Sequence, residues 1–324
     1  MPFPIEEKLL LSFEIFSFTL YFIIIIYLNL HYKKNKEFFS LPFIIQFTFN
    51  GICDLVSASS VIFFRKIAIW GWLRDYFEEN DWVTILYRLV FYQFTSLTIT
   101  GNFLITLNRY MTMANPIFYK NKWTPNFAIC IVILQILVCF GIFSHLYFVD
   151  AVFVYDASIP TWYFTKSKWI YSLFDSICLT SISWFSAIGT GVLNFKICLQ
   201  YSKIMKSAVG SKRKNKICLF VFTLITCTFL YITAIQQTVR LKSAIDKDRR
   251  LRNLMNYYFF YMLPMLSCIH AYLMIFLSRK IREDFFSWFY RCILGREFTT
   301  VTSIGQPSKW TVPNHNVLKS FYKS

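Results

Sequence analysis

The stretch TLNRYMTMANP, residues 106–116, sets an arginine directly behind a long apolar run and closes on a proline. The run in front of it, 82–107, has Arg88 as its one charged side chain. An apolar segment of roughly 20 residues crosses a bilayer core as a helix. Residues 82–107 are therefore long enough to span, and Arg109 falls where such a helix meets its polar loop. An arginine at that place is either an anchor or a switch. The anchor lays its stem on the apolar surface and keeps its guanidinium in the headgroups. The switch changes partner with the state of the protein.

The same pattern recurs outward from this stretch. The chain has 324 residues, 56% hydrophobic, 20% aromatic and only 16% charged, whereas a soluble domain carries roughly 25% charged residues. The deficit means that much of the apolar mass meets lipid. Seven apolar segments are legible, at 9–30, 41–64, 82–107, 126–149, 169–199, 217–239 and 253–277. An open strand edge in lipid leaves backbone groups unpaired, so long apolar runs become helices. None of the seven alternates as a barrel strand would. The expected fold is an all-α membrane protein, a seven-transmembrane helix bundle filling 9–277.

Charge sets the expected orientation. With the segment 1–8 outside, the inner segments 31–40, 108–125, 200–216 and 278–324 carry 20 Lys and Arg, against 12 in the outer segments. That imbalance is the positive-inside rule, and it accounts for the net charge of +17 without nucleic acid. Acidic residues lean outward, as Asp75, Glu78, Glu79 and Asp81 show. One loop argues back: RLKSAIDKDRRLR, 240–252, is basic yet falls outside. No cleavable signal is expected, because Glu6 and Glu7 flank a lone Lys8 and no small-residue cleavage site follows, so the first run itself directs insertion. Behind the seventh run, 278–293 reads as an amphipathic cytoplasmic helix on the inner leaflet, with Phe285, Phe286, Trp288 and Phe289 toward lipid. Cys292 at its end is a palmitoylation candidate or a free thiol. The polar tail 294–324 is expected to be disordered. KIMKSAVGSKRKNK, 203–216, suits an acidic partner, anionic lipid, or topology alone.

Ionisable and amide side chains inside apolar runs are costly and therefore informative. Asn50 and Asp54 lie at mid-depth of the second run. Arg88 and Asp175 each lie about two turns inside their runs near the outer mouth. They form either a structural pair or, with Gln236 and Gln237, part of a ligand pocket. Glu14 is expected at the interface. His31, His145, His270 and His315 are scattered, and each reads as a satisfied or exposed side chain rather than a metal ligand.

Three motifs carry a resemblance: WGWLRDYF (70–77), GNFLITLNRY (101–110) and NPIFYKNKW (115–123). The Arg-Tyr pair with a proline seven residues after the arginine resembles rhodopsin-like G-protein-coupled receptors. Together the motifs resemble the nematode serpentine chemoreceptors of the gamma superfamily, class V. The resemblance implies a receptor in the plasma membrane, amino end outside and carboxyl end cytoplasmic, in the cilium of a sensory neuron. Its partners would be an extracellular small molecule, a heterotrimeric G protein and membrane lipids. It implies coupling and switching roles for Asn108, Arg109, Tyr110, Pro116 and Tyr119, and a sodium ion near Asp54; no other cofactor is expected. Several features of rhodopsin-like receptors are missing. Asn108 replaces the acidic neighbour of the arginine, and the sixth run has neither Pro nor Trp. The seventh lacks an Asn-Pro-x-x-Tyr motif, although Tyr272 lies nearby. The cysteine pair that ties the third span to the second outer loop is also missing.

The nine cysteines form no CxxC pair, which gives no support to a metal or disulfide framework. No phosphate loop or nucleophile elbow suggests an enzyme. A transporter or ligand-gated channel is the competing class. The inverted halves and Gly/Pro-broken helices of transporters are not found, and only the second and fifth runs offer even a partial polar face for a pore.

Overall fold

The computed structural model describes residues 5–32, 40–156, 161–166, 169–206, 211–277 and 279–294. Long helices dominate. Helix α1 (Ile5–His31) is followed by α2 (Leu41–Val61), which continues through a π-helical turn at Ile62–Lys66 and a last α turn at Ile67–Ile69. A short α3 (Arg74–Glu79) leads into α4 (Asp81–Ala114), a short α5 (Pro116–Lys122) and α6 (Pro125–Ile142). A 3-10 turn at Ser144–Phe148 precedes the strands β1 (Ala151–Asp156) and β2 (Thr161–Lys166). Then come α7 (Trp169–Lys206), α8 (Ser211–Ile245), α9 (Arg249–Leu277) and α10 (Arg279–Leu294). The end of the bundle at which α1 begins is called upper below, and the opposite end lower.

Local signals start the helices that rise from the lower end. Ser40 accepts a hydrogen bond from the Phe43 amide, and Pro42 stands in the first turn of α2. Thr124 does the same for the Phe127 amide, with Pro125 opening α6. A hydroxyl cap and a first-turn proline satisfy or remove amides that a helix start leaves unpaired.

Among the described residues, five helices are long and apolar enough to cross a membrane: α1, α6, α7, α8 and α9. The other two long helices, α2 and α4, carry the second and third apolar runs and fall short for a physical reason. They lie in the middle of the bundle and bury polar side chains. Helix α2 packs on α1, α4, α6 and α9, and α4 packs on α2, α6, α7 and α8. Inside, α2 buries Gln46, Asn50, Asp54 and Ser57, and α4 buries Gln93, Thr98, Asn102 and Asn108. Helix α6 is the reverse. Its buried positions are Ala128, Gln135 and Cys139, and most of its large apolar side chains face outward.

The upper end carries a cap, built in the connection between the fourth and fifth apolar runs. β1 and β2 form an antiparallel hairpin in which Phe153 and Phe164 are register partners, so both project from one face. Phe164 is buried and packs on Phe64, Tyr87 and Phe77 with ring centroids 5.9, 5.1 and 5.3 Å away. The WGWLRDYF motif supplies the other half of this contact. Gly71 (φ 71°) and Leu73 (φ 57°) adopt left-handed backbone, turning the chain so that Phe77 enters the cluster. Arg74 lies over the Trp162 ring of the hairpin at 4.4 Å.

Glu14, expected at the interface, turns into the bundle. It is buried and forms an ion pair with Lys66 at the end of the π turn. Lys66 and its neighbour Arg65 are both buried. Because they are adjacent on a helix they point in different directions, Lys66 toward α1 and Arg65 toward α4 and β2.

The chain divides into two units, 1–283 and 284–324. In the second, Phe285 is buried and its ring meets Phe286, Trp288 and Phe289 with centroids 5.5, 6.1 and 6.0 Å apart. Phe286 is half exposed, so the four rings do not share one buried face; Cys292 is exposed. Residues 207–210 of the basic stretch 203–216, the side chains of its other residues up to 216, and the tail from 295 lie outside the described residues.

Removing one partner of a buried ion pair strands the other charge, at a cost of about 3–5 kcal/mol. Lys66→Met should therefore lower the melting temperature of the purified protein and its surface level sharply. The double variant Glu14→Gln/Lys66→Met should regain most of the loss. Equal melting temperatures for the single and double variants would contradict a charge-pairing role.

Candidate functional site

At the lower end, Arg109 lies inside α4, because the helix continues past the apolar run to Ala114. Its side chain turns into the bundle and is buried. The guanidinium stands 3.9 Å from the Phe43 ring of α2 and 5.5 Å from the Phe222 ring of α8, and Nη2 lies 3.4 Å from Met274 Sδ of α9. Aromatic faces and a thioether are soft partners for a cation. One side chain of α4 thus touches three other helices. His270 of α9 belongs to the same neighbourhood: it is buried and stacks on Phe222 at 5.2 Å. Neither ring nitrogen has a hydrogen-bond partner among the described residues, which departs from the expectation of a satisfied or exposed histidine.

Asn108 does not face Arg109. It is the hub of a one-way chain of hydrogen bonds. Its amide donates to Gln46 Oε1 (3.0 Å), and its oxygen accepts from the Tyr119 hydroxyl (3.2 Å). The Tyr119 oxygen in turn pairs with Ser40 Oγ (2.5 Å). With the Tyr119 proton committed to Asn108, Ser40 must donate to Tyr119 while accepting the Phe43 amide. Such a chain, polarised in one direction, strengthens its own links. It ties α5 and the start of α2 to α4. Tyr119 also stacks on Trp123 at 5.8 Å. Tyr110 packs against the cluster of Met113 and Ile197, and exposed Pro116 opens α5.

At mid-depth, Asn50 donates to the Gly101 carbonyl (3.3 Å) and accepts from Gln135 of α6 (3.2 Å). The approach is close enough that a methyl group on Gly101 would lie 2.6 Å from Asn50 Oδ1, which explains the glycine of GNFLITLNRY. Gln135 also donates to the Leu97 carbonyl at 3.0 Å. Sequence reasoning passed over Gln135, although a lone amide amid IVILQILV signals a polar partner. Asp54 Oδ2 accepts from the Tyr21 hydroxyl (2.9 Å) of α1. Asp54 Oδ1 has no hydrogen-bond partner, and the Thr98 hydroxyl lies beside the carboxylate.

At the upper end a cavity of about 470 Å³ opens between α2, α4, the hairpin and the upper ends of α7, α8 and α9. Its walls carry Arg65, Arg240, Lys247 and Arg252 together with Tyr87, Phe164 and Trp169. Arg88, Asp175, Gln236 and Gln237 are not among its lining residues. Helical phase explains Arg88: it follows the lining residue Tyr87 by about 100° around α4. Asp175 pairs with His145 Nε2 (2.7 Å) rather than with Arg88. Gln236 donates to the Met255 carbonyl (2.7 Å) and accepts from Gln237 (2.8 Å), whose own oxygen holds Arg240 at 3.3 Å. The two glutamines therefore position a lining residue and are not lining residues themselves. The contradictory charge of 240–252 was the signal for the cavity that the sequence offered. No group of three or more His, Cys, Asp or Glu able to hold a metal ion occurs among the described residues.

A family model described as serpentine type 7TM GPCR chemoreceptor Srv matches residues 10–290. No curated protein matches the chain.

Tyr119→Phe removes the links to Asn108 and Ser40 and leaves a buried amide oxygen short of a donor, a loss of about 1–3 kcal/mol. Amide exchange across 116–122 should quicken severalfold while exchange in α6 stays as it was. An unchanged rate in 116–122 would show that the chain does not hold α5.

Proposed function

This chain belongs to the Srv family of serpentine type 7TM GPCR chemoreceptors, and from that premise we propose that it detects an extracellular small molecule at the upper cavity and signals to a G protein at the lower end. Family and apolar helices make it a membrane protein; the proposed setting is the plasma membrane with the upper end outside. The basic residues of the expected inner segments support that orientation.

The observation that carries the reading is the seat of Arg109. A buried guanidinium cannot lose its proton, so its position must be stabilised in every state the protein adopts. Here it closes the lower end by touching α2, α8 and α9 at once. Separating α8 and α9 from α4 would free it to meet an acidic or carbonyl-rich partner. The upper cavity is formed by the other ends of these helices. A ligand that fits a different spacing of those ends shifts the population toward the open state by its differential affinity.

A sodium ion at Asp54 belongs to the same reading. Asp54 Oδ1 and the neighbouring Thr98 oxygen are hard donors, of the kind such a cation takes. Tyr21 already donates to the other carboxylate oxygen. If sodium favours the closed state, replacing it with choline should raise basal signalling in wild type and leave Asp54→Asn unaffected.

The seat of Arg109 is tested in cells carrying a calcium or cAMP reporter, with surface levels matched. Phe222→Ala combined with Met274→Ala should raise basal signalling severalfold. Arg109→Ala added to that pair should abolish the gain. Identical reporter output from all three proteins would defeat the reading.

A further inference from the structure

Four cations converge on the upper cavity: Arg65, Arg240, Lys247 and Arg252. Among the described residues, no aspartate or glutamate lines it. The described ion pairs are Lys66–Glu14, Arg74–Glu78 and His145–Asp175, so none of the four takes part in one. The contrast at the π turn is direct. Lys66 is neutralised by Glu14, whereas its neighbour Arg65 receives only neutral acceptors, the Phe164 carbonyl (3.3 Å) and the Tyr87 hydroxyl. Arg240 is likewise oriented by the amide oxygen of Gln237. Neutral acceptors hold a guanidinium in place without cancelling its charge.

The nearest acids in sequence are otherwise occupied. Asp248 accepts the Leu251 amide at the start of α9, and Asp246 is exposed. Between them Lys247 sits in the left-handed backbone region (φ 57°), which a lysine rarely adopts. That turn brings its ammonium within 5.4 Å of the Trp169 ring on the cavity wall. Three of the four cations come from 240–252, the loop whose charge opposes the topology rule. Insertion gains nothing from them there, and they repel one another.

Resting on the receptor reading above, we infer that the upper cavity binds a small organic anion: a carboxylate, sulfate or phosphate monoester seated among Arg65, Arg240, Lys247 and Arg252. Its ring or chain lies against Tyr87, Phe164 and Trp169. Guanidinium forks match the paired oxygens of these groups, and aromatic walls bury the remainder. The volume, about 470 Å³, lies within the range of small-molecule sites, roughly 300–1,000 Å³.

The full-length protein in nanodiscs is titrated with 2-naphthylacetate, 2-naphthyl sulfate and 2-naphthyl phosphate, with neutral 2-naphthylacetamide and with inorganic phosphate, reading thermal stabilisation. At least one naphthyl anion should stabilise saturably and more tightly than both the amide and inorganic phosphate. The three anion arms identify which group is preferred. Lys247→Gln/Arg252→Gln, two changes near the cavity mouth, should weaken that anion by roughly tenfold or more. Without ligand the double variant should melt at or above the wild-type temperature, since repulsion is relieved; a merely structural role would lower it. The inference is overturned if the amide or inorganic phosphate binds as tightly as every naphthyl anion. It is also overturned if the double variant binds the anion as wild type does, or if no anion stabilises the protein. Anion binding with a silent reporter would instead count against the receptor reading alone, and reporter responses confined to neutral compounds would count against the anion alone.

Discussion

A polar side chain in hydrocarbon must find a partner, and that constraint arranges this bundle. Helices α2 and α4 carry too many amides, hydroxyls and charges to face lipid on all sides. They become the centre, and the five more apolar helices are placed around or beside them. Asn50 shows the consequence at one residue. Its hydrogen bonds to the Gly101 carbonyl and to Gln135 fix the spacing of α2, α4 and α6 together. The glycine, the asparagine and the glutamine are three parts of one packing solution. A change to any of them disturbs the other two.

The same constraint acts differently at the two ends. At the lower end a one-way chain of hydrogen bonds runs from the Phe43 amide to Gln46, and the Arg109 guanidinium rests on rings and a sulfur. Hydrogen bonds hold α5 and α2 to α4, whereas softer contacts hold α8 and α9 to it. An end built this way parts more readily along the α8–α9 side. At the upper end, side-chain aromatic packing seats the hairpin over the bundle, and four cations line the cavity outside the described ion pairs.

The sequence was most legible where composition alone decides. The apolar runs and the arginine behind the third run could be read directly, since lipid allows few backbone solutions. The helix ends were less legible: α4, α7 and α8 extend beyond their apolar runs because helical backbone continues until a cap or turn stops it, not until polarity rises. Residues that depend on phase were lost. Depth places Arg88 near the ligand end, yet its neighbour Tyr87 takes the wall, and only the rotation of α4 distinguishes them. The hairpin was not legible because its two strands, six residues each, are too short to stand out from a loop between spans. The basic loop 240–252 stands out in the sequence as an exception to the expected charge pattern, and only the cavity offers an account of it.

The geometry of α8 and α9 connects the two ends. Arg240 lines the cavity near the top of α8, and Phe222 touches Arg109 eighteen residues below, about 27 Å at the usual rise. On α9, Arg252 lines the cavity and Met274 touches Arg109 twenty-two residues below, about 33 Å at the same rise. Pro264 interrupts α9 between them, and a proline there removes a backbone hydrogen bond and lets the helix bend. A helix moves at its far end when its near end is drawn sideways, and a bend point allows the two halves to move unequally. Mutual repulsion among the cations favours wide spacing of the upper ends, and a bound anion favours close spacing. The unliganded charge cluster is thus itself part of the resting state. On the proposed reading, a ligand would change the balance of repulsion at the top, and the soft contacts around Arg109 are the first that such a movement would break.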